Sequence, residues 1–111
     1  MTPEAQRIAV AEFCGWLITR LSSHGRITGF PPKNRIPGKI YDIPDYLNDL
    51  NAMREAELKL TGDQWRILLG FLNGKTTIPR LMSMDEFHKC WNATALQRAE
   101  ALLRTIGKWV E

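Results

Sequence analysis

The sequence has little cysteine, no long apolar run and no acid across two of its longer stretches. Two cysteines in 111 residues exclude the bridge-dense scaffold of a small secreted domain. No apolar stretch approaches the ~20 residues that cross a bilayer as a helix, so no membrane partner is expected. Met1-Thr2-Pro3-Glu4 carries an early acid and no basic segment, unlike a secretory leader. Phosphate-binding loops and dinucleotide fingerprints are absent, because the glycines are scattered among prolines. What is present is ordinary for a folded protein: 44% apolar and 24% charged residues. That is enough for one modest core, and residues 1–111 are expected to form one domain.

The net charge is only +3, but it is laid out in blocks. Phe13 to Tyr41 holds Arg20, Arg26, Lys33, Arg35 and Lys39 and no acid. Asp42 to Asp63 holds six acids against Arg54 and Lys59, and Gln64 to Met84 is again free of acids. Such blocks either neutralise one another across the fold or present a basic surface to an acidic partner.

Apolar periodicity predicts a mostly α chain, a bundle of four or five helices with one long basic loop. Thr2 and Pro3 open a helix over 3–22, with Val10, Phe13, Cys14, Leu17 and Leu21 on its stripe and Gly15 as a mid-helix cost. Residues 24–43 contain three glycines and three prolines and read as a long loop. A second helix is expected over 44–60, capped by Asp42, with Pro44 in its first turn and Asp45 and Asp49 complementing its dipole. Capping boxes at Thr61/Gln64, Ser83/Glu86 and Thr94/Gln97 open three more, the last running through Leu96, Ala99, Leu103, Ile106 and Val110. Leu50, Met53, Leu68, Leu72, Leu103 and Ile106 are the expected core.

Catalytic patterns are weak. Cys14, His24, His88 and Cys90 lack a zinc-site spacing, and His88 and Cys90 point ~200° apart on a helix. Neither Ser22-Ser23-His24 nor His88-Lys89-Cys90 matches a nucleophile motif. No catalytic residue, metal ligand or cofactor is therefore expected, and the chain reads as non-enzymatic. Binding is better represented. Residues 24–41 offer Arg26, Lys33, Arg35 and Lys39 beside the anchors Phe30 and Tyr41, with Arg20 just before. That array suits an acidic protein face or a phosphate backbone. Its alternative is pairing of the same bases with Asp45, Asp49 and Glu57. Four tryptophans are many for this length, and Trp16, off its helix's main stripe, is expected to be partly exposed as a hot-spot residue.

Three stretches carry a resemblance: Met1 to Glu12 (MTPEAQRIAVAE), Ile43 to Glu57 (IPDYLNDLNAMREAE) and Ala93 to Trp109 (ATALQRAEALLRTIGKW). Together they resemble a group of small phage and prophage proteins. The group often has His where this chain has Arg54 and a bulkier residue such as Phe near Leu102, and residues 66–91 carry no matching segment. Some relatives are described as α–β–α sandwiches, which implies an α+β alternative with a small sheet around 24–41 or 75–82. No site residue is carried over. The resemblance implies a phage accessory protein in the bacterial cytoplasm. The expected function is binding and inhibition of a host protein or ribonucleoprotein complex, such as a CRISPR–Cas defence system. The alternative is a nucleic-acid-binding regulator of phage genes.

Overall fold

A computed structural model describes residues 1–21, 26–32, 39–72 and 90–111, Arg20 in its backbone only. Helix α1 spans Pro3–Phe13, nine residues short of the expected 3–22. Its start is as expected: the Thr2 hydroxyl accepts from the Ala5 N–H at 3.1 Å, and Pro3 occupies the first turn. Its end is set by Gly15, whose φ of +95° is open to glycine and strained for other residues. The Gly15 N–H returns to the Glu12 carbonyl and the Trp16 N–H to the Ala11 carbonyl, both at 3.0 Å. This pair of bonds is a Schellman stop, so Gly15 terminates the helix that it was expected to weaken.

The chain leaves that stop as strand β1, Leu17–Leu21, and returns antiparallel as β2, Ile27–Phe30. Strand β3, Tyr41–Asp42, pairs with the far edge of β2, giving the order β1-β2-β3. The expected long loop over 24–43 thus contains two strands, and the bundle is corrected to an α+β fold. Gly29, which argued against a strand, is required inside one. A Cβ there would collide with the Leu17 carbonyl oxygen, beside the register shift between Ile18 and Arg20. Along β2 burial alternates: Ile27 and Gly29 face inward, while Thr28 and Phe30 are half-buried.

Helix α2 spans Leu50–Glu57 rather than 44–60. The preceding residues form turns, with Tyr46 N–H bonded to the Pro44 carbonyl and Asp49 N–H to that of Asp45. Asp49, not Asp42, is the cap, accepting from the backbone N–H of Asn51 and Ala52. Helix α3, Gly62–Leu72, begins at the expected Thr61/Gln64 box. Helix α4, Ala95–Thr105, begins at the Thr94/Gln97 box. The Ser83/Glu86 box lies outside the described residues. A second Schellman stop, with Gly107 at φ +75° and Lys108 N–H returning to the Leu103 carbonyl, ends α4 before Val110.

Helix α4 is the centre of the packing and contacts α1, α2 and α3, while α1 also backs the sheet. Among the described residues the largest fully buried side chains are Val10, Ile27, Met53, Leu68, Leu102 and Leu103. Of the expected core, Met53, Leu68 and Leu103 are buried, whereas Leu50, Leu72 and Ile106 are only partly so. Leu96 and Val110 are exposed, because the buried face of α4 is centred on Ala95, Ala99, Leu102 and Leu103. Among the described residues no helix is long and apolar enough to cross a membrane.

Candidate functional site

The expected basic array is only partly described. Arg26 precedes β2, and its Nε donates to Asp42 on β3 at 2.7 Å, with both side chains well exposed. Lys39 precedes β3 and sits 5.1 Å from the centre of the Tyr41 ring. Arg20 lies on β1, paired in register with Thr28. Lys33 and Arg35 lie outside the described residues, as do His24 and His88. The alternative pairing is not found among the described residues: Asp45 meets Arg7 and Asn48, Asp49 caps α2, and Glu57 binds Arg98.

Trp16 follows the Gly15 stop and is half-buried, packed against the core. With Tyr41 and Tyr46 it walls a cleft of about 560 Å³ between the end of α1, the sheet and α2. Gly15 and Pro32 brace one side, since a Cβ on Gly15 would come within 3.0 Å of the Pro32 ring. Cys14, Trp16 and Tyr46 stand together in its lining. Burial pushes both the Cys14 and Tyr46 groups up from their usual ranges. Cys14 is therefore held as the protonated thiol, the poorly nucleophilic form.

A second cleft of about 620 Å³ opens on the other side of α2. Leu58, Trp65, Leu69 and Trp91 line it, with Arg54, whose guanidinium lies 5.5 Å from the Trp91 ring centre. Its inner wall contains the Glu57–Arg98 pair, each residue 5% exposed. Arg98 Nη1 donates to both Glu57 oxygens at 3.0 and 3.1 Å, and Nη2 donates to the Cys90 carbonyl at 2.7 Å. This one side chain fastens α2, the Cys90 segment and α4 together. Loss of hydration raises the Glu57 carboxyl above its usual value, against the opposing pull of Arg98.

Leu58 belongs to both clefts and is 83% exposed, the crest between them. Trp91 is 61% and Trp65 40% exposed. Among the described residues an exposed tryptophan stands beside an arginine at Trp91 and Arg54, while Trp16 is partly exposed, as expected. A signal for the buried pair was present in the sequence. Glu57 follows the buried Met53 by one turn and Arg98 precedes the buried Leu102 by one turn, so opposite charges stand on two core-facing stripes.

The fold and its clefts define a small α+β domain with an aromatic, partly basic surface around the end of α2. No family model, curated protein or solved structure matches the chain.

Proposed function

We propose that the protein is a non-enzymatic phage or prophage accessory protein that docks a bacterial host protein or ribonucleoprotein in the cytoplasm and inhibits it. A defence complex is the target class this reading favours. The observation that carries it is the Leu58 crest. Trp65, Trp91 and Arg54 beside a leucine that is 83% exposed have the residue types enriched in binding hot spots. The side chains that turn outward here include the cations Arg54 and Lys59 and the acid Glu55, while Glu57 and Arg98 neutralise each other. The excess of positive charge suits a partner face of apolar anchors among carboxylates. The phage setting rests on the resemblance of the three sequence stretches.

The test is affinity capture from bacterial lysate with wild-type protein and with Trp91→Ala. The expected result is a captured protein that survives nuclease treatment and is reduced about tenfold or more by Trp91→Ala, while the variant's circular dichroism is unchanged. Capture that disappears with nuclease, and weakens steeply with salt, replaces this reading with nucleic-acid binding. Capture indifferent to Trp91→Ala refutes the surface.

A further inference from the structure

The cleft that Trp65 and Trp91 line is rich in hydrogen-bond donors and short of acidic acceptors. Arg54 stands over the Trp91 ring and forms no ion pair among the described residues. The start of α3 adds Thr61 and Gly62 to the lining. The Thr61 hydroxyl accepts from the Gln64 N–H and its carbonyl from the Trp65 N–H. The N–H groups of Gly62 and Asp63 are left with no acceptor among the described residues. A Cβ on Gly62 would meet nothing within 4 Å, so the backbone there is open to a ligand. In the inner wall Arg98 donates through Nη1 and Nη2, yet its Nε has no acceptor although the residue is 5% exposed. Glu57 is the only carboxylate in the described lining, and Arg98 already engages it.

The rest of the lining is hydrocarbon and indole, from Leu58, Leu60, Leu69, Trp65 and Trp91. A neutral apolar molecule would cover these surfaces and leave the donors unmet. A cation would be repelled by Arg54 and by the positive end of α3. A carboxylate joined to an apolar body meets both demands, since its oxygens accept from a guanidinium and from helix-start N–H groups. We propose that this cleft binds a free amphiphilic monocarboxylic acid, its carboxylate at the rim formed by Arg54 and the start of α3 and its apolar body along Trp65 and Trp91. The volume of about 620 Å³ falls within the range of small-ligand sites. The site shares Arg54 and Trp91 with the docking surface, so a bound acid competes with a docked partner.

The experiment is an NMR titration of the purified protein that follows the indole N–H signals of Trp65 and Trp91, assigned with Trp65→Phe and Trp91→Phe. It needs no partner, so its outcome is separate from that of lysate capture. The probes are octanoate, 1-octanol, which keeps the body without the charge, and octylammonium, which reverses it. Octanoate is expected to bind about tenfold more tightly than 1-octanol and more tightly still than octylammonium. Arg54→Gln, at an exposed position, should weaken octanoate about tenfold and leave 1-octanol within about twofold. Gly62→Pro removes one N–H at the first helical position, where proline is favoured and which the Thr61/Gln64 box does not use. It should weaken octanoate about threefold or more with the amide spectrum in place, whereas Gly62→Ala, which keeps that N–H, should leave binding within about twofold. Octanoate bound no more tightly than 1-octanol, octanoate affinity unchanged by either Arg54→Gln or Gly62→Pro, or no movement of the two indole signals overturns the proposal.

Discussion

Two ion pairs divide the molecule. Arg98 and Glu57 meet at 3.0 Å with side chains 6% and 4% exposed, while Arg26 and Asp42 meet at 2.7 Å with side chains 71% and 58% exposed. The chemistry is shared and the distances are close; the surroundings differ. In the helical half, losing one partner strands a charge away from water. At the sheet edge, water replaces a lost partner at once. Short distance alone therefore says little about what holds this fold, and burial decides.

The largest effect should come from Arg98→Met, which leaves Glu57 buried without its partner and costs about 3–5 kcal/mol in chemical denaturation. The double variant Arg98→Met/Glu57→Leu sharpens the comparison, since replacing both groups by apolar ones should recover most of that loss. A double variant as unstable as the single one would mean that the guanidinium bond to Cys90 dominates. Next comes Leu103→Ala, a neutral cavity in the same core, expected to cost about 2–5 kcal/mol because Leu103 is fully buried. A loss below about 1 kcal/mol would place Leu103 outside the core.

Arg26→Ala should cost less than about 1 kcal/mol, and a larger loss would break the contrast between the pairs. The smallest effect is a pH dependence. Burial raises the Glu57 carboxyl above 4.5, so just above that pH the folded chain holds more proton than the unfolded one. The contribution of Glu57 to stability then falls as pH rises through that window and grows as pH drops toward it. The difference in melting temperature between wild type and Glu57→Gln should accordingly widen between pH 7 and pH 5. A difference that narrows would mean that Arg98 outweighs burial.

The sequence announced local features well and their extent poorly. Thr2, Thr61 and Thr94 mark helix starts because a cap is a contact between residues three apart. Helix ends were misread at Gly15 and Gly107, where the apolar spacing continues past a glycine that turns left-handed. The sheet was hidden for a related reason. Gly29 looks like a strand breaker until Leu17 of the neighbouring strand shows why no side chain fits there. The basic block named Arg26 and Lys39 correctly as exposed, yet Asp42 and the Tyr41 ring already engage them. The exposure of Trp91 and Leu58 is not legible in the sequence, because it depends on how the end of α2 meets α3 and the Cys90 segment. Arg98 ties that region together by bonding Glu57, 41 residues away in the chain, and the Cys90 carbonyl.

On the proposed function, binding resides at the Leu58 crest rather than at the exposed bases of the sheet edge. The most direct test is quantitative capture of the same lysate protein by Leu58→Asp and by the double variant Arg26→Ser/Lys39→Ser. Leu58→Asp should lose about tenfold or more and the double variant should change within about twofold, both with native circular dichroism. Full binding by Leu58→Asp with binding lost in the double variant would contradict this reading and return the contact surface to residues 24–41.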